Sequence, residues 1–110
     1  MIKWNRFSLG SDDFELAFEP TSSVRIIDKP IYTCVNPKFL AMLEDLGISD
    51  IHIAGIDTDI CVTKCAVDMF ERGLTPSVLA KYCASHAGPE LHSAALRIIA
   101  RFIGKGQIIQ

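Results

Sequence analysis

The sequence predicts an α/β domain of the doubly wound, three-layer class, a mainly parallel sheet with helices on both faces. Three observations carry this reading. Short apolar runs at 51–54 and 77–80 have the length of strands; segments with apolar residues at helical spacing follow them; and those segments open on proline or a capping residue and stop at glycine. Strands alternating with helices in this way imply βαβ units, whose right-handed crossovers build a parallel sheet.

Residues 1–23 are the least regular part, an irregular amino-terminal segment ahead of an α/β domain over 24–110. Ser8-Leu9-Gly10-Ser11-Asp12-Asp13 and Glu19-Pro20-Thr21-Ser22-Ser23 supply turn chemistry around a short Phe14–Phe18 stretch. Val24-Arg25-Ile26-Ile27 is a β-branched run that predicts a short strand, placed at an edge or ended by Asp28-Lys29-Pro30. Asn36-Pro37 opens a helix over about 37–46, since asparagine caps orphan N–H groups and proline suits the first helical position; Gly47 ends it. Ile51-His52-Ile53-Ala54 reads as a strand covered on both faces. A helix over about 58–72 stops at Gly73, and Ser77-Val78-Leu79-Ala80 gives the next strand. Pro89 opens a helix with a buried stripe of Leu91, Ala94, Ala95, Ile98, Ile99 and Phe102, and Ile108-Ile109 offers a last strand.

Composition narrows the function. The chain has 110 residues, 49% hydrophobic and 22% charged, with a formal net charge of −2. That is one soluble domain, and its scattered basic residues leave no electrostatic footprint for nucleic acid. Met1–Arg6 lacks the apolar core of a signal peptide, and no apolar run approaches the ~18 residues that span a bilayer. The expectation is a cytoplasmic protein with no membrane partner, whose cysteines at 34, 61, 65 and 83 are reduced thiols.

Ligands bind such sheets beyond the carboxyl ends of the strands. Three loops gather there, 28–36, 55–61 and 81–88, and they hold Lys29, Tyr32, Cys34, Asp57, Asp59, Cys61, Tyr82, Cys83 and His86. Cys61 stands out because it falls in the first turn of a helix, directly after a strand and the turn at Gly55. Unpaired N–H groups and the positive dipole end favour an anion there, and the thiolate is the nucleophilic form of cysteine. Gly55 permits the sharp turn, and Thr58 or Asp59 is placed to cap the helix. The same turn aims the Asp57 and Cys61 amides as an oxyanion hole. The Asp57 and Asp59 carboxylates oppose an anion at Cys61 unless they point away or cap. Lys29, from a neighbouring strand end, is placed to support negative charge; the alternative is a solvated surface lysine. His86 is a loop histidine suited to substrate binding, whereas His92 reads as a half-exposed packing residue.

Metal and cofactor readings are weak. Cys61 and Cys65 are four apart on a helix and form no C-x-x-C knuckle, so Cys65 reads as core, and neither a GxGxxG nor a Walker sequence occurs. No metal and no cofactor are expected.

Asp28-Lys29-Pro30-Ile31-Tyr32-Thr33, then Gly55-Ile56-Asp57-Thr58-Asp59-Ile60-Cys61-Val62, then Ala66-Val67-Asp68 and Gly73 resemble the isochorismatase-like cysteine hydrolases, which include nicotinamidases. Lys81-Tyr82-Cys83-Ala84-Ser85-His86, with His92 and Ala95-Leu96, is similar to the family's loop after its fifth strand and the helix behind it. The resemblance implies a Cys61 nucleophile, a supporting Lys29, a cis peptide near Ile56-Asp57 and substrate contacts from Tyr32 and His86. It also implies hydrolysis of a small-molecule amide or related bond through a covalent intermediate, with self-association common. Isochorismatases of this superfamily cleave a vinyl ether without that cysteine, so membership alone does not fix the bond.

The family's third catalytic group is an aspartate at the end of its first strand, and no segment here matches it; Asp12 and Asp13 follow Ser-Leu-Gly-Ser and do not take the role. Residues 1–7 are more like the tail of the second strand. The expectation is an amino-terminally truncated form, lacking a strand from the middle of the sheet and so exposing edges and an apolar face. Hydrolase activity then depends on the aspartate being supplied, and the alternative is an inactive paralogue acting as an oligomerisation or interaction module.

Overall fold

The computed structural model describes residues 19–110. The readings at Phe14–Phe18, residues 1–7, Asp12 and Asp13 lie outside that range.

Helix α1 (Pro37–Leu46) forms as its ends dictate. Asn36 Oδ1 accepts the Phe39 N–H at 2.8 Å, Pro37 takes the first helical position, and Gly47 turns left-handed at φ 67°. The Gly47 N–H then donates to Glu44 O and the Ile48 N–H to Leu43 O, the paired bonds of a Schellman stop. Strand β1 (Asp50–Ile56) follows, then a wide π-helical turn at Thr58–Val62 that runs into α2 (Thr63–Glu71). A second stop of the same kind, at Gly73 with φ 80° and Leu74 N–H bonded to Met69 O, leads into β2 (Thr75–Ala84). Helix α3 (Pro89–Ile103), a short 3₁₀ turn and β3 (Ile108–Ile109) complete the chain.

The sheet has the order β1-β2-β3 and both pairings are parallel. Ile53 pairs with Val78 and Gly55 with Cys83, so the register slips between them. The extra residues carry β2 on through Tyr82 and Cys83, four residues beyond the Ser77–Ala80 run. Two apolar clusters hold the layers. Val62, Ala66, Val78, Ile99 and Ile103 join α2 and α3 to the sheet, while Phe39, Leu43, Cys65 and Met69 join α1 to α2, and Ile53 packs against both.

All three helices reach the sheet through one set of side chains, Ile51 and Ile53 with Val78. On the other face His52, Ala54 and Ile56 are exposed, Ile56 by 69%. Residues 19–110 therefore do not supply the second helical layer expected of this class, and β1 alternates between packed and open positions where the apolar run had predicted cover on both sides. The strand predicted at Val24–Ile27 does not form. Those residues pair with no strand among the described residues, three of the four are exposed, and β1 is the terminal strand of the described sheet. β-Branched composition favours a strand only where a neighbour accepts its hydrogen bonds.

Candidate functional site

The site is built where β1 ends. The Ile56–Asp57 peptide is cis, as the family resemblance implied. The Asp57 carbonyl then accepts the N–H groups of both Ile60 and Val62 at 3.1 Å, and this i→i+5 closure makes the turn wide. Cys61 lies inside that turn, half-buried, and across the cleft Lys29 Nζ reaches 3.9 Å from its sulfur while donating to Ile31 O at 3.1 Å. Residues 32 apart in sequence are thus brought into one contact.

The side chains expected to cap the helix are used otherwise. The Asp57 carboxylate accepts the His86 N–H at 3.0 Å and pairs with His86 Nδ1 at 2.6 Å, which ties the loop after β2 to the loop after β1. Thr58 is fully buried, and its hydroxyl meets His92 Nδ1 at 2.7 Å, so His92 links α3 to the turn and is more than a packing residue. Asp59 Oδ1 is buried and has no hydrogen-bond partner among the described residues. The imidazole of His86 is 81% exposed beyond its contact with Asp57. Tyr32 presents its ring to solvent and its carbonyl to Cys65 Sγ at 3.8 Å.

A cavity of about 310 Å³ opens beside β1, lined by Lys29, Cys34, Ile53, Cys61, Cys65 and Met69 among others. The larger concavity, about 1000 Å³, is an open groove along α3 lined by Lys81, Glu90, His92, Ser93 and Arg97, and no cysteine lines it. The smaller one brings a thiol, Cys61, and a cation, Lys29, to one wall.

Cys34, read as a rim residue, and Cys65, read as core, meet in a contact that the sequence reading did not give. Cys65 is a core residue, but the Cys34 N–H donates to its sulfur at 3.3 Å. The Cys34 thiol, acting as donor, holds the Cys65 thiol down to about 6; the Cys34 N–H, Lys29 and Thr33 help, while burial opposes. The same contact, with burial, pushes the Cys34 thiol up. Cys83 is also pushed up, by burial. The four-residue step from Cys61 to Cys65 puts both on one helix face, but nothing local in the sequence joins Cys34 to them. Among the described residues no three His, Cys, Asp or Glu side chains gather as a metal site, and no helix is long and apolar enough to cross a membrane.

A family model described as the isochorismatase domain matches residues 5–105. The chain belongs to the isochorismatase family. Among solved structures it is similar to an isochorismatase-like hydrolase from Alkaliphilus metalliredigens, at 20% identity and TM-score 0.76, covering 84% of this chain and 50% of that one. It is also similar to the nicotinamidase PncA from Bacillus subtilis, at 32% identity and TM-score 0.64, covering 69% and 42%. A ribonuclease from Caenorhabditis elegans shares the fold at 22% identity and TM-score 0.64, covering 76% and 40%. No curated protein sequence shows significant similarity to the chain. The chain spans about half the length of the solved structures it matches. The parallel α/β class and the family read from the sequence agree with these findings.

Proposed function

We propose that this isochorismatase-family chain is a cysteine hydrolase of small-molecule amides, nicotinamide-like aromatic amides among them. The observation that carries the reading is the contact of Lys29 Nζ with Cys61 Sγ at the mouth of a cavity of substrate size. In this reading the Cys61 sulfur attacks the carbonyl carbon and the oxygen takes the negative charge. The Asp57 and Cys61 amides hold that oxyanion, and Lys29 supports the charge on sulfur. The C–N bond breaks, the amine leaves with a proton, and water hydrolyses the thioester to the acid, restoring the thiol. Tyr32 and His86, on the loops flanking the cavity, contact the substrate. The reaction also requires a carboxylate to accept the thiol proton, supplied at the open edge of β1 that borders the cavity.

The test is hydrolysis of a panel of aromatic and aliphatic amides, with mass analysis of the tryptic peptide 39–64, which contains Cys61 and no other cysteine. We expect an acyl adduct on that peptide, loss of turnover by about 10³-fold in Cys61→Ala, and by about 10²-fold in Lys29→Ala. Turnover that survives Cys61→Ala unchanged overturns the reading.

One observation favours a second reading, an oligomerisation module. The face of β1 carrying Ala54 and Ile56 is exposed, and its outer edge is unpaired among the described residues. In that reading the chain is catalytically silent and a second copy covers the edge.

A further inference from the structure

The fold brings Cys34 and Cys65 together, and the reaction above uses neither. Both are free thiols. The Cys34 N–H lies 3.3 Å from Cys65 Sγ, so standard bond lengths place the Cys34 β-carbon within about 6 Å of that sulfur. Cys34 belongs to the irregular loop ahead of α1. Rotation about its χ1 with a small loop adjustment closes the rest of the gap to disulfide geometry. Both residues line the cavity of about 310 Å³, which admits a molecule of peroxide size.

We propose that Cys34 and Cys65 form a reversible disulfide when the protein meets hydrogen peroxide, stapling the loop that carries Lys29 to the helix that follows Cys61. The Cys65 thiolate attacks one peroxide oxygen, the O–O bond breaks, and the released hydroxide takes a proton to become water. The Cys34 thiol then attacks the resulting sulfenic sulfur; the S–S bond forms, the S–O bond breaks, and the hydroxyl leaves with the Cys34 proton as a second water. Two thiols are oxidised and one peroxide is reduced. The order follows from the surroundings. The Cys34 N–H and the Lys29 charge favour the anion at Cys65, while Cys34 keeps its proton and acts as the resolving thiol. The proposal stands apart from the hydrolase reading, because the cross-link is detected by mass whether or not the chain turns over an amide.

Trypsin separates the four cysteines, placing Cys34 in peptide 26–38, Cys61 in 39–64, Cys65 in 65–72 and Cys83 in 82–97. The full chain is treated with hydrogen peroxide at a few equivalents, capped with iodoacetamide and digested without reductant. We expect a linked 26–38/65–72 species, with capping of Cys34 and Cys65 falling about tenfold and recovering on reduction. In Cys34→Ser the link disappears and Cys65 is recovered as sulfenic or sulfinic acid. A dominant link to 39–64 or 82–97, or oxidation of Cys34 and Cys65 without any link between them, overturns the proposal.

Discussion

Two carboxylates lie within four residues of Cys61, and their placement decides how negative the sulfur's surroundings are. Asp57 is committed to His86, both of its carboxylate oxygens being used on the neighbouring loop. Cys65 lies one helical turn further on. Its thiol is held to about 6 by the Cys34 thiol, with help from Lys29, and thiolate is the reactive form, so its reactivity rises with pH and levels off above about pH 6. Cys83, raised by burial, still climbs through pH 9. Alkylation rates measured against pH and resolved by peptide should show these two profile shapes, which do not depend on how accessible each thiol is. A Cys65 profile that rises in parallel with that of Cys83 refutes the assignment. Cys61 and Asp57 were legible because both sit in a local pattern of strand end and turn, whereas Lys29 was legible through the family resemblance, the strand expected ahead of it being absent. Cys34–Cys65, Asp57–His86 and Thr58–His92 were not legible, because each joins segments about thirty residues apart and depends on how a loop or helix docks.

Among the elements, α1 shows how much a local sequence can specify. Its cap, its first-turn proline and its glycine stop were all readable, and the helix forms with the expected bounds, Pro37–Leu46. The helix also positions the loop of Lys29 and Cys34, since Phe39 and Leu43 pack on Cys65 and Met69. Replacing Asn36 with alanine removes the acceptor of the Phe39 N–H and should cost about 1 kcal/mol in urea unfolding. It should also speed modification of Cys34, because the loop and the helix share that anchor. An unfolding midpoint within error of wild type means that the cap contributes nothing to docking. The α2 start was read less well. The wide turn replaces a regular first turn because the Asp57 carbonyl closes onto Val62, and no residue spacing announces a π turn. The run at Val24–Ile27 failed as a strand for a different reason, one that lies outside the segment itself, in the lack of a strand beside it among the described residues.

For the molecule as a whole, the consequence lies at β1. A terminal strand with an unpaired edge is a template for another chain, and here that edge borders the cavity that holds Cys61 and Lys29. Exposed Ile56 and Ala54 extend the same surface onto the uncovered face of the sheet. Burial of apolar area at about 25 cal/mol per Å² rewards covering this face, and strand pairing would satisfy the edge. A second copy of the chain is the partner that the interaction reading uses, and the same edge is where the hydrolase reading needs its carboxylate. Sedimentation velocity over a hundredfold range of concentration should therefore show a dimer. Ala54→Lys, which sets a charge on the uncovered face without touching the helical core, should weaken that dimer about tenfold or more while leaving the unfolding midpoint of the monomer unchanged. A single monomeric boundary at every concentration removes self-association from the interaction reading, and the carboxylate required by the hydrolase would then have to come from the same chain.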